Sequence, residues 1–106
     1  MKSFDENIDH TLLAIEEAID ESGEDIDYDT IAGILTLIFP DDSKIIINRQ
    51  SATSQLWIAA RSGGFHLDWI AGDWALAEEG TQLSELLSEL CTKQLGEEVT
   101  LEIAQD

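Results

Sequence analysis

Basic side chains are scarce in this sequence: five Lys and Arg stand against 23 Asp and Glu, a formal charge of −18 over 106 residues. Such a chain has no patch to offer phosphates, and its field repels nucleic acid and anionic lipid, so neither is expected as a direct partner. A single cysteine, Cys91, cannot close an internal disulfide and belongs to no C-x-x-C pair, which fits a reducing compartment such as the cytosol. Apolar runs fall short of the ~20 residues that a membrane helix needs. The start, MKSFDENIDH, lacks the basic and apolar regions of a signal peptide. A soluble, cytoplasmic protein is expected. Gly-rich phosphate loops of the G-x-G-x-x-G or G-x-x-x-x-G-K kind are missing. Two histidines and one cysteine furnish no evident nucleophile and base pair, so the sequence gives no support for an enzyme.

Apolar material is nonetheless ample, at 43%, and 106 residues suit one domain with one core. Phe4, Ile8, Leu12, Ile15 and Ile19 recur at spacings of three and four, which predicts an amphipathic helix to about residue 21, stopped near Gly23. The period then changes to two: Asp25, Asp27 and Asp29 alternate with Ile26, Tyr28 and Thr30, as in a strand with one wet face. GILTLIF (33–39), KIIINRQ (44–50), SQLWIAA (54–60), FHLDW (65–69) and WALA (74–77) read as further strands, separated by short turns at Pro40–Ser43, Ser62–Gly64 and Ala71–Asp73. Leu83, Leu86, Leu87, Leu90 and Leu95 restore the helical period up to Gly96. The tail EEVTLEI is either a short strand or an extended segment lying across the helices. Short turns between consecutive strands imply an antiparallel sheet of five to six strands. Both amphipathic helices must cover one face of it, giving an α+β two-layer sandwich.

Residues 16 to 29, EEAIDESGEDIDYD, hold eight carboxylates and no Lys or Arg. Glu16 and Asp20, like Glu17 and Glu21, lie one helical turn apart, where like charges repel by a few tenths of a kcal/mol per pair, about 0.2–0.5. Asp20 and Glu21 also fall at the negative end of the helix dipole. Glu24, Asp25, Asp27 and Asp29 carry the same field onto the first strand. A solubilising face normally mixes both signs, and this one does not. Carboxylates without His or Cys suit hard cations such as Fe³⁺, Ca²⁺, Mg²⁺ or Mn²⁺, with Fe²⁺ also acceptable, in weak and poorly selective surface sites. An EF-hand is excluded, because Thr30 stands where the loop needs Gly and Thr36 where it needs a bidentate Glu.

In SQLWIAAR, Leu56, Ile58 and Ala60 form the face expected under the helices, which sends Trp57 to the uncovered side. His66 and Asp68 alternate outward as well, with Asn48, Gln50, Gln55 or Arg61 as candidate neighbours. A large aromatic among polar groups on an open sheet face has the composition of a binding hot spot. Trp69 and Trp74 are expected in the core, as is Cys91, an inert buried thiol.

The succession of helix, acidic strand, SKIIINRQ (43–50), QLWIA (55–59), GGFHLDW (63–69) and closing helix resembles the frataxin family in its bacterial, CyaY-type form. The resemblance covers nearly the whole chain and rests on Asn48-Arg49-Gln50, Gln55-x-Trp57-x-Ala59 and Gly63-Gly64-Phe65-His66 in order. It implies weak binding of iron (Fe²⁺ and Fe³⁺) on an acidic ridge. Here that ridge maps to Glu16, Glu17, Asp20, Glu21, Glu24, Asp25, Asp27 and Asp29. It further implies docking on the cysteine desulfurase of iron–sulfur cluster assembly, with modulation of cluster formation on the scaffold protein. Trp57, Asn48, Gln55 and Arg61 are the partner-binding candidates, and a monomer is expected without metal. One departure is local: Ile31-Ala32-Gly33 replaces the family's more usual Asn-Gly-Gly. Two other readings remain: a metal-independent acidic interaction module or nucleic-acid mimic, and a ferroxidase, for which the His-carboxylate set of a di-iron bundle is missing.

Overall fold

The computed structural model describes residues 3–76 and 79–103. Helix α1 spans Phe4–Ser22. Ser3 opens it as half of a capping box, its hydroxyl accepting from the Glu6 amide at 3.2 Å while donating to the Glu6 carboxylate. Gly23, with φ of 70°, closes it in the left-handed conformation that glycine adopts without strain. The predicted stripe is the buried one: Ile8, Leu12, Ile15 and Ile19 lie in the core, with Phe4 packed at its rim.

Six strands follow: β1 (Asp27–Ile31), β2 (Ile34–Ile38), β3 (Lys44–Gln50), β4 (Gln55–Ala60), β5 (Gly63–Ile70) and β6 (Asp73–Leu76), then helix α2 (Leu83–Leu95). They pair in chain order as one antiparallel meander, β1 and β6 at its edges. Leu35, Leu37, Ile45, Ile47, Leu56, Ile58, Leu67 and Trp74 point to one face and meet the apolar stripes of both helices. Among the described residues no helix covers the other face. This is the expected two-layer α+β sandwich. Among the described residues no helix is long and apolar enough to cross a membrane.

Local details differ from the sequence reading. Gly63 and Gly64 belong to β5, and the β4–β5 turn is Arg61-Ser62, because Ala60 pairs directly with Gly63. Asp25 precedes β1 instead of lying in it. Trp69 is not core: it pairs with the buried Trp74 and packs edge-on against that ring, yet stays 38% exposed. Ala77, the expected end of the last strand, lies outside the described residues.

The tail forms no strand. Its backbone N–H groups at Val99, Leu101 and Ile103 donate to the hydroxyls of Thr92, Ser88 and Ser84 on α2, at 2.9, 2.8 and 3.0 Å. Their side chains complete the core. Arg49 ties the sheet to the start of α1, donating to Asp5 at 2.9 Å and to Asp9. Gly33 makes room for this arm: a Cβ there would stand 3.0 Å from Arg49 Nη2, on a backbone already at φ 77°.

Candidate functional site

Two surfaces carry the candidate residues. The first is the edge formed by the C-terminal half of α1 and by β1. Four residues of helix rise about 6 Å and two residues of strand about 6.8 Å. Side chains at i and i+4 of a helix therefore meet those at i and i+2 of a strand beside it. Glu16 and Asp20 use this match: the Tyr28 hydroxyl donates to Asp20 Oδ2 at 2.8 Å, and the Thr30 hydroxyl donates to Glu16 Oε2. The bond to Asp20, then burial and the charges of Asp20 and Glu16, hold the Tyr28 phenol above its ordinary pKa of 10.0.

The remaining carboxylates diverge from this pair. Tyr28 and Thr30 lie opposite the buried Leu37 and Leu35, so they face the helices. Asp27 and Asp29 pair with Ile38 and Thr36 and point to the open face of the sheet. Glu21 lines a groove with Ala18, Ser22, Thr100 and Glu102, on the tail side of α1. Glu17 is exposed on the helix, and Glu24 and Asp25 sit in the link. Among the described residues none of the eight is ion-paired: Arg49, Arg61 and Lys93 engage Asp5, Asp9, Asp41 and Glu89 instead. No three His, Cys, Asp or Glu converge on one point among those residues. The donor set is hard oxygen, open to water, with neighbours in pairs. That suits loosely held hard cations, not a closed coordination cage.

The second surface is the open sheet face. Asn48, Trp57 and His66 lie side by side on β3, β4 and β5, since Trp57 pairs with both of its neighbours. The Trp57 and His66 rings stack in parallel, 4.2 Å apart with planes inclined by 9°. Trp57 Nε1 donates to Gln55 Oε1 at 3.0 Å. Beside the stack Gly64 and Ala59 have little or no side chain, and a shallow depression of about 180 Å³ opens between Ile46, Asn48, Trp57 and His66. Arg61 stands apart: it is a turn residue whose guanidinium bonds Asp41 at 2.9 Å. The structure thus joins Asn48, Gln55 and Trp57 and commits Arg61 elsewhere.

Sequence reasoning missed Tyr28 and Thr30 as members of the ridge. The signal was present: two hydroxyls two apart on a strand, after two acids four apart on a helix.

The frataxin-like domain family matches residues 1–97 of this chain. The iron–sulfur cluster assembly protein CyaY of Vibrio vulnificus strain YJ016 is 45% identical over 96 residues, covering 91% of this chain and 92% of that protein. The protein of the same name from Tolumonas auensis is 49% identical over 87 residues, covering 82% and 84%. Among solved structures, a frataxin from Psychromonas ingrahamii superposes with a TM-score of 0.81 at 37% identity, covering 93% of this chain and 97% of that one. A trimeric frataxin from Saccharomyces cerevisiae, described as complexed with ferrous iron, reaches a TM-score of 0.68 at 29% identity over 92% and 88%. The chain belongs to the frataxin family.

Proposed function

We propose that this protein is an iron-binding accessory factor of iron–sulfur cluster assembly. It docks on the cysteine desulfurase and regulates cluster formation on the scaffold protein or the supply of iron to it. The observation that carries this reading is the ridge itself: eight carboxylates from Glu16 to Asp29 with no ionic partner among the described residues, on a chain whose relatives are named for cluster assembly. Crowded like charges at the negative end of a helix work against stability. They do favour collection of a hard cation and attraction of a basic protein surface. Iron here is cargo, held by whichever carboxylates are closest, and the protein's role is binding without turnover. Trp57, Asn48 and Gln55 supply an uncharged contact area away from the ridge.

One observation favours a second reading, in which the acids serve docking alone. Glu16 and Asp20 already accept hydrogen bonds from Thr30 and Tyr28, so a cation must compete with those hydroxyls. An NMR titration separates the two. Under the first reading Fe²⁺, added without oxygen, perturbs residues 16 to 29, and purified desulfurase perturbs the ridge together with Trp57. A ridge unmoved by Fe²⁺ but shifted by desulfurase in the presence of chelator would leave only the metal-independent module.

A further inference from the structure

On the open sheet face a chain of hydrogen bonds ends at Trp57. Asp68 Oδ1 on β5 accepts from Gln55 Nε2 at 3.2 Å. Gln55 Oε1 accepts from Trp57 Nε1 and from the Thr53 hydroxyl, each at 3.0 Å. The chain has one self-consistent polarity. An ionised carboxylate only accepts, so Asp68 decides which end of the Gln55 amide turns toward it. The other end, the carbonyl oxygen, then faces two donors. A flipped amide would set its NH₂ against the indole N–H and its oxygen against the carboxylate, and both contacts would be repulsive. The indole is thereby fixed at its N–H edge by Gln55 and on one face by the stacked His66.

We infer that Asp68, acting through Gln55, is a positioning residue that sets the Trp57 indole in its docking orientation before any partner arrives. The inference rests on the reading that Trp57 contacts the desulfurase. An aromatic anchor already held in one rotamer loses less conformational freedom on association, so presetting it strengthens binding without adding a contact. Gln55 orients the indole in the same way, but it also belongs to the proposed contact area, so Asp68→Ala, and not Gln55→Met, isolates the effect that passes through Trp57.

The test uses the full chain with Asp68→Ala, Gln55→Met and Trp57→Ala, alone and in the Asp68→Ala/Trp57→Ala double variant. Two quantities are read: the Trp57 indole N–H resonance with its hydrogen-exchange rate in the free protein, and affinity for purified cysteine desulfurase. Retained amide spectra confirm that each variant folds. Asp68→Ala and Gln55→Met are each expected to shift the indole resonance, speed its exchange about fivefold and weaken docking by a similar factor, the worth of one ordinary hydrogen bond. In the Trp57→Ala background the Asp68 substitution should add nothing, because the residue through which it acts is gone. A mere loss of charge at Asp68 would act equally in both backgrounds, and that additivity overturns the proposal. So does an unchanged indole signal in Asp68→Ala while Trp57→Ala still weakens docking. Docking untouched by Trp57→Ala instead defeats the reading on which the proposal rests.

Discussion

The Tyr28 hydroxyl donates to the Asp20 carboxylate at 2.8 Å, joining the first strand to the last turns of α1 at the centre of the acidic ridge. Each phenol that ionises there must do so beside Asp20 and Glu16, and its pKa lies above 10.0 for that reason. The phenol is therefore a reporter of the ridge. A raised folded pKa contributes stability below the unfolded value, and that contribution is lost as pH rises through the folded one. Absorbance titration of Tyr28 should give a midpoint above 10, falling toward 10 in Asp20→Asn. Millimolar Ca²⁺, a hard cation that stays soluble in alkali, should lower the wild-type midpoint and leave Asp20→Asn less affected. A midpoint insensitive to Ca²⁺ would show that cations do not reach this pair.

Glu21 is exposed, one turn beyond Glu17 and at the end of a helix with no basic residue in its last turn. Glu21→Lys removes a repulsive pair worth a few tenths of a kcal/mol, about 0.2–0.5, and reverses an unfavourable dipole contact worth about 0.3–1 kcal/mol. The melting temperature should rise by roughly 2–12 °C, since about 1 kcal/mol moves a domain of this size by about 4–8 °C. Raising the salt concentration should stabilise the wild type more than the variant, because screening relieves the same repulsion. Fe²⁺ affinity should fall while stability rises. Thermal melts at two ionic strengths, paired with a metal titration, check both directions.

Acid acts on a different residue. Asp41 accepts from the Ser43 amide at 2.9 Å and from Arg61 at 2.9 Å, and the Ser43 bonds, then Arg61, hold its pKa at about 2. A depressed carboxylate contributes stability in full above its unfolded value, near 3.9, and loses it as pH falls from there through about 2. Asp41→Asn should be less stable than wild type at pH 6, with the gap closing between pH 4 and pH 2. Urea unfolding across that range measures the difference directly. A gap that persists at pH 2 would mean the turn geometry, and not the charge, is what Asp41 supplies.

Buried Trp74 donates its indole N–H to Thr11 on α1 at 2.9 Å, with neither residue open to solvent. Thr11→Val keeps the volume and removes the acceptor. An indole N–H left unpaired in the core costs about 1–3 kcal/mol, so equilibrium unfolding should register a loss of that size. Thr11→Ser keeps the acceptor and should lose less.

The sheet, its meander order and both helices were legible because each element buries one face, and burial forces a period of 3.6 or 2 on the sequence. The acids of the ridge were equally visible as composition. Their pairing was not, because it depends on which strand lies beside α1. Once β1 is placed there, Glu16 and Asp20 on the helix match Thr30 and Tyr28 on the strand, residue pairs about 6 Å long on each side. Trp69 was misread for a related reason: alternation gives the face a side chain points to, but not how fully that face is covered at each position, and Trp69 is 38% exposed beside the buried Trp74. Arg61 followed the alternation of β4 only to the strand's end, where the turn redirected it to Asp41.

The same helix-to-extended match fastens the C-terminal segment, and there it supports the heaviest mutational prediction. Ser84, Ser88 and Thr92 recur every four residues on α2, and Ile103, Leu101 and Val99 recur every two on the tail, running the opposite way. Ser88 and Thr92 also donate to the helix carbonyls one turn back, at 2.6 and 2.7 Å, so each hydroxyl both donates and accepts. Ser88→Ala strands the half-buried Leu101 amide and should cost about 1 kcal/mol. Ending the chain at Glu98 is far more severe, because Val99, Leu101 and Ile103 are buried against the helices. At about 1.5–3 kcal/mol for each buried side chain, their loss approaches the roughly 5–15 kcal/mol that holds a domain folded. The truncated chain should therefore show little or no cooperative melt by circular dichroism at 25 °C and above. A sharp transition near the wild-type temperature would mean that the two helices close the core without the tail, and that the hydroxyl ladder orders a segment the fold does not need.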